Sequence, residues 1–141
     1  MNTKARILVV DDNRSLVRII EGVLQRQGYE IVTAYDGVEA VEKAEATRPD
    51  LIVLDIVMPK LDGYQVCRTL QNDPKTAAIP VILLSVKGQL DDPDLDDQAI
   101  EARLQERNEG FEAGATDFIT KPVKAKELEE RVQMLLWFSG I

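Results

Sequence analysis

Short apolar runs alternate along the chain with longer segments of helical spacing. Ile7-Leu8-Val9-Val10, Leu51-Ile52-Val53-Leu54 and Val81-Ile82-Leu83-Leu84 are apolar throughout. Such runs are typical of parallel strands covered on both faces. Between the first two, Leu16, Ile19, Ile20, Val23 and Leu24 recur at helical intervals, with Gly28 as the stop. Tyr29 to Tyr35 reads as a second strand and Val38 to Ala46 as a second helix that ends before Pro49. Gly63 to Gln71 predicts a third helix stopped near Pro74, Asp117 to Thr120 a short fifth strand, and Lys124 to about Phe138 a closing helix. With a fourth helix after Val81–Leu84, strands and helices alternate throughout. The predicted class is α/β, a doubly wound parallel sheet with helices on both faces. No internal repeat, low-complexity tract or linker divides the chain, so residues 1–141 are expected to form one domain.

The strands end on polar residues. The first runs into Asp11-Asp12, the third into Asp55, the fourth into Ser85 and the fifth into Lys121. In open parallel sheets, ligands bind beyond the carboxyl ends of the strands, where strand order reverses. Capping of strands by surface polar residues accounts for one or two such placements. It does not account for three carboxylates, a hydroxyl and a lysine converging.

Composition narrows the chemistry those residues can do. The chain has one cysteine, Cys67, and no histidine, which excludes an internal disulfide, a Cys/His zinc site and any histidine-dependent triad. Its formal charge of −8 argues against direct contact with nucleic acid. No apolar run is long enough for a membrane span or a secretory signal, so a cytoplasmic location is expected.

Three carboxylates in one cleft repel one another: two unit charges about 4 Å apart cost on the order of 4 kcal/mol at an effective dielectric near 20. Lys121 can offset this, and so can a hard divalent cation such as Mg²⁺, which favours one or two carboxylates together with water and phosphate oxygens. A carboxylate so placed can act as a nucleophile toward phosphorus, with metal and lysine stabilising the transferring oxygens. Asp55, at the tip of a central strand, has the best position for that role. Asp11 and Asp12 are better placed to hold a metal together.

At these residues the sequence resembles the receiver domain of two-component response regulators over essentially its whole length. The resemblance is carried by Ile7-Leu8-Val9-Val10-Asp11-Asp12, Leu51-Ile52-Val53-Leu54-Asp55-Ile56-Val57-Met58-Pro59, Asp62-Gly63, Leu83-Leu84-Ser85 and Thr120-Lys121-Pro122, in that order. It implies a flavodoxin-like sheet of strand order 2-1-3-4-5 and a signalling phosphoacceptor rather than an enzyme. By this resemblance, Asp55 accepts the phosphoryl group, Asp12 binds Mg²⁺ directly, Asp11 does so mainly through water, and the Val57 carbonyl completes the ligands. Ser85 and Lys121 would bind phosphoryl oxygens, and Phe118 would be a switch aromatic. A cis bond is expected at Lys121-Pro122. The donor would be a histidine kinase or a histidine phosphotransfer protein. The face built from the fourth helix, fifth strand and fifth helix would contact a downstream protein or a second copy. With no residues left for an output domain, signalling is expected to run through such contacts, unless the sequence is a fragment of a longer chain.

The chain departs from the family's pattern in two places. Val86 stands where a smaller residue is usual, which predicts slow autodephosphorylation, and Val57 and Lys87 occupy positions that tune the same rate. Ser85 and Lys121 are 36 positions apart, longer than usual by roughly four helical turns. The extra segment, an acidic insertion at 88–109, lengthens the fourth helix. From Asp91 to Glu109 there are five Asp, three Glu and two Arg, a net of −6. Asp92, Asp94 and Asp96 match the start of a calcium loop, but Asp97 and Arg103 stand where it needs glycine and glutamate. An acidic helix start is the better reading, with Ile100, Leu104 and Phe111 on one face and Gly114 as stop.

In the last helix, Leu128, Val132 and Leu135 form the expected core stripe. Met134, Phe138 and Ile141, beside Trp137, form a second stripe that could serve as an interface. Cys67 is expected to be a buried small hydrophobe.

Three other functions compete with the receiver reading. A haloacid-dehalogenase-type phosphatase needs an aspartate where Val57 stands. A flavin module needs a phosphate loop where Asp11-Asp12-Asn13-Arg14 would repel one. A pseudo-receiver would bind partners without phosphorylation, yet every position the chemistry requires is present.

Overall fold

The computed structural model describes residues 4–85 and 96–140, apart from the side chains at positions 99, 103, 106 and 107. Along the chain run β1 (Arg6–Val10), α1 (Arg14–Arg26), β2 (Glu30–Ala34), α2 (Gly37–Thr47), β3 (Leu51–Asp55), α3 (Gly63–Gln71), β4 (Val81–Ser85), α4 (Asp97–Ala113), β5 (Asp117–Thr120) and α5 (Ala125–Phe138). The strands form one parallel sheet of order β2-β1-β3-β4-β5. This is the predicted doubly wound architecture. No helix among the described residues is long and apolar enough to cross a membrane.

The apolar runs form strands because both faces of the sheet are covered. Leu8, Val10, Ile52, Leu54 and Leu83 point to the face packed by α2 and α3. Ile7, Val9, Leu51, Val53, Ile82 and Leu84 point to the face packed by α1 and α5. Successive strand residues alternate faces, and each face finds an apolar partner layer. Cys67 lies in the first layer as a free, buried thiol whose pKa burial pushes up to about 12. It is the inert hydrophobe the sequence predicts.

Helix starts follow their capping residues. Asn13 accepts the Leu16 N–H at 3.1 Å, Asp36 the Glu39 N–H at 2.8 Å, and Asp62 forms a reciprocal capping box with Gln65. Gly28, at φ 95°, and Gly114, at φ 112°, follow the ends of α1 and α4 as predicted.

Two helical faces differ from expectation. In α5 the fully buried residues are Leu128, Val132 and Leu136, while Leu135 is half-buried against the same layer. The two leucines are adjacent, and the helix rolls so that the second faces the sheet. In α4, Leu104 and Phe111 are exposed, and among the described residues the buried ones are the small Gly110 and Ala113. Met134, Trp137 and Phe138 are exposed at the end of α5. The expectations for Val86, Lys87, Asp91 to Leu95 and Ile141 fall outside the described residues, and with them most of the calcium-loop reading. Of the 88–109 insertion, residues from Asp97 onward lie in α4, at 17 residues the longest helix among those described.

Candidate functional site

Strand order reverses between β1 and β3, since β1 pairs with β2 on one side and β3 on the other. At the carboxyl edge of this crevice the register brings the strand ends level. Val10 pairs with Leu54, Asp55 with Leu84, and Ser85 with Thr120. Asp11, one residue past β1, therefore sits beside Asp55, the last residue of β3. Lys121, one residue past β5, reaches the same point from the far side. Five of the residues predicted from sequence (Asp11, Asp12, Asp55, Ser85 and Lys121) thus meet at one edge of the sheet.

Asp11, Asp12 and Asp55 each offer a carboxylate oxygen, and these oxygens lie within 4.8 Å of one another. Asp11 and Asp55 are buried, whereas Asp12 is exposed at the mouth. Asp11 is held by its surroundings: its N–H donates to the Ala34 carbonyl, and its Oδ1 accepts the Asn13 N–H at 3.0 Å. Lys121 Nζ donates to Asp11 Oδ2 at 2.9 Å and lies 3.1 Å from Asp55 Oδ1. The second contact is an ion pair without hydrogen-bond geometry, so the buried Asp55 Oδ1 has no hydrogen-bond partner among the described residues. Its positive neighbour among them is Lys121 alone, shared with Asp11, so the three carboxylates of the cleft outnumber their cation.

The electrostatics follow from this crowding. Burial raises the Asp55 carboxyl pKa, the charge of Asp11 raises it further, and Lys121 only partly opposes them; the result is about 6. Burial works to lower the Lys121 pKa, but the hydrogen bond to Asp11 and the pull of Asp55 outweigh it, and the net shift is upward. Lys121 is therefore a fixed cation.

Three oxygens of hard character converge here, one of them buried and without a hydrogen bond, in a pocket with more negative than positive charge. That donor set fits a hard divalent cation. Val57 follows the strand at an exposed position, 66% accessible, beside this edge.

Two further residues shape the site: Gly63, part of the Asp62-Gly63 motif, and Arg131, which the sequence did not single out. Gly63 opens α3 and donates its N–H to the Ile56 carbonyl at 2.7 Å. A Cβ there would stand 2.6 Å from the Asp55 carbonyl oxygen, so only glycine lets α3 begin this close to the end of β3. Arg131 Nη1 on α5 donates to Asp117 Oδ1 at 2.8 Å and to the Phe118 carbonyl at 2.9 Å, tying β5 to α5 just before Lys121. The sequence signal available for it was its i,i+4 spacing from Glu127, whose carboxylate is 3.6 Å away. Phe118 is buried, and the Lys121-Pro122 bond is cis, as expected.

The family described as response regulator receiver domain matches residues 7–103. Among curated proteins, the alkaline phosphatase synthesis transcriptional regulatory protein PhoP of Bacillus subtilis is 41% identical over 141 residues, 100% of this chain and 51% of that protein. The chain spans about half the length of several of the curated relatives it matches. Among solved structures, the receiver domain of sensor histidine kinase PA1611 from Pseudomonas aeruginosa, described with a magnesium ion coordinated in its active-site cleft, is 30% identical. It superposes with a TM-score of 0.76, covering 95% of this chain and 98% of that one. The chemotaxis response regulator CheY4 of Vibrio cholerae is 28% identical with a TM-score of 0.80, covering 94% of this chain and 99% of that one.

Proposed function

Because the chain belongs to the response regulator receiver domain family, a signalling module of two-component systems, we propose that it is a phosphorylation-dependent switch with Asp55 as phosphoacceptor. The observation that carries this reading is the buried, hydrogen-bond-free Asp55 Oδ1 beside Lys121 and two further carboxylates. Receiver domains of this family take their phosphoryl group from histidine kinases. The proposed donor here is such a kinase or a histidine phosphotransfer protein, since the chain has no histidine of its own.

In the proposed step, an Asp55 carboxylate oxygen attacks the donor's phosphorus. The new O–P bond forms as the P–N bond to the donor imidazole breaks, and the electron pair leaves on that nitrogen. Asp55 is largely ionised at pH 7 even with its raised pKa, so no separate base is needed. Lys121 is poised 3.1 Å from the attacking carboxylate and can follow the negative charge onto a phosphoryl oxygen. Ser85, at the end of β4, would bind another oxygen of the same group. Asp12 and Asp55 would hold Mg²⁺ with the Val57 carbonyl, and Asp11 would act mainly through water. The ion would supply positive charge against three carboxylates and the arriving phosphoryl oxygens.

We assign residues 1–141 to a single receiver domain, working in the cytoplasm and making no direct contact with nucleic acid or membrane. Its output is proposed to pass through α4, β5 and α5, to a protein partner or a second copy, with Phe118 as the switch aromatic. The acidic insertion is proposed to set that choice of partner, and Val86 to slow the loss of the phosphoryl group. A pseudo-receiver or a haloacid-dehalogenase-type phosphatase has no specific observation in its favour.

Locating the phosphoryl group tests the assignment. After incubation with acetyl phosphate and Mg²⁺, borohydride reduction converts an aspartyl phosphate to homoserine, which peptide mapping should find at position 55. Homoserine at position 11 or 12 instead would overturn the assignment of Asp55.

A further inference from the structure

Gly110 lies in the last turn of α4 and is buried against the sheet. A Cβ at this position would stand 2.3 Å from Phe118 Cζ, 3.1 Å from Phe118 Cε2 and 3.0 Å from Leu83 Cδ1. The ring of Phe118 therefore occupies the volume a side chain at 110 would take. Phe111, the next residue of α4, meets the same ring edge-on, with centroids 5.1 Å apart and planes at 74°. Elsewhere on α4, Leu104 is exposed and Ile100 half-buried, while Ala113 is buried in the last turn and the helix also packs along α3.

We propose that Gly110 is a notch that seats the Phe118 ring and thereby latches α4 to β5. A glycine inside a helix is disfavoured about fivefold relative to alanine, so α4 gives up helical stability at this position. The gain is an aromatic ring set against the helix backbone, beside its strand partner Leu83 and in edge-on contact with Phe111. Gly22 on α1 provides the contrast, since a Cβ there meets nothing within 4 Å.

The latch lies next to the functional edge. Leu83 pairs with Phe118 and Ser85 with Thr120, and these four residues share one face of the sheet by the two-residue period of strands. A shift of the β4 end at Ser85 is thus two residue pairs along the strands, on the same face, from the ring that holds α4. This consequence rests on the phosphoacceptor reading above, but the latch itself does not.

A double-mutant cycle at positions 110 and 118 tests the latch by denaturant unfolding, with Gly22→Ala as the control. Gly110→Ala is expected to raise the unfolding equilibrium constant about tenfold, the scale of an overpacked contact. Gly22→Ala is expected to lower it by up to about fivefold. In a Phe118→Leu background, Gly110→Ala should become neutral or favourable. If Gly110→Ala alone fails to fold while the double variant folds, that also supports the latch. Equal cost in both backgrounds, failure to fold in both, or a gain matching the control would each overturn it. Hydrogen exchange supplies a second readout. Phe118→Leu should speed exchange of the α4 amides while β1 and β3 keep their protection, and unchanged α4 exchange would also overturn the proposal. No phosphorylation enters either measurement, so their failure is distinct from failure to find homoserine at position 55.

Discussion

Asp55→Asn is expected to stabilise the metal-free protein at pH 7 by about 3 kcal/mol, even though it removes the proposed phosphoacceptor. The Asp55 carboxyl titrates near 6 when folded, against an ordinary value of 3.8. Burial is the first cause, the neighbouring Asp11 the second, and the figure is already net of the attraction to Lys121. Because the folded pKa is raised, the native state holds its proton more tightly than the unfolded chain. Between about pH 4 and pH 6 the native protein binds more protons, so stability falls as pH rises through that window. Above it the cost of burying the charge is fully present, and a neutral amide of the same shape avoids it. Denaturant titrations with EDTA at pH 5 and pH 7.5 check this: the advantage of Asp55→Asn should be large at the higher pH and smaller at the lower. A variant no more stable than wild type at pH 7.5 would mean that Asp55 is not under electrostatic strain. Adding Mg²⁺ should narrow the gap by stabilising the wild type more than the variant, since an ion that binds only the folded state stabilises it in proportion to its occupancy.

Lys121→Met should act in the opposite direction, costing about 3 kcal/mol at pH 7.5 without divalent cations. Lys121 Nζ is the ammonium shared by Asp11 Oδ2 and Asp55 Oδ1, and the two acidic side chains are only 1% and 4% exposed. Methionine keeps most of the stem's packing and leaves two buried carboxylates facing each other. Breaking a buried pair in this way is costly because the remaining charge is uncompensated. The partial exposure of Lys121, 21% at its side chain, places the cost at the lower end of that range. The deficit should shrink as pH falls toward 6, because without Lys121 the Asp55 carboxyl takes up its proton at a higher pH than in the wild type, and it should shrink with Mg²⁺ at constant pH. A deficit equal at pH 5 and pH 7.5 would show that the lysine acts through packing rather than charge.

The placement of these charges was legible in the sequence because the chemistry sits where strands end. Apolar runs that stop at Asp11, Asp55 and Ser85 mark both the strand and its carboxyl edge, so one pattern yields the fold and the site together. Lys121 needed the additional step of finding β5, which its short length of four residues made the weakest strand signal. The α5 stripe was read one residue out, at Leu135 instead of Leu136. Both are leucine, and a step of about 100° around the helix is decided by how it rolls on the sheet rather than by periodicity. The faces of α4 were hidden for a different reason. Among its described residues the buried ones are Gly110 and Ala113, which carry no hydrophobic pattern, while Leu104 is exposed and Phe111 is half exposed even as its ring meets Phe118. Close approach is likewise invisible in one dimension: the glycines at 63 and 110 are needed because backbone or ring atoms from distant segments fill the space beside them. Lys60, with φ 73°, holds a left-handed turn that its residue type does not announce, and its ion pair with Asp36 at 3.3 Å spans two loops.

The most direct test of the account is the intact mass of the protein after incubation with acetyl phosphate and Mg²⁺, in wild type and in Asp55→Asn. The account predicts a gain of one phosphoryl group in the wild type, lost when the metal is chelated and absent from the variant. An unmodified wild type, under conditions that phosphorylate another receiver domain, would contradict it, as would a variant that still gains the group.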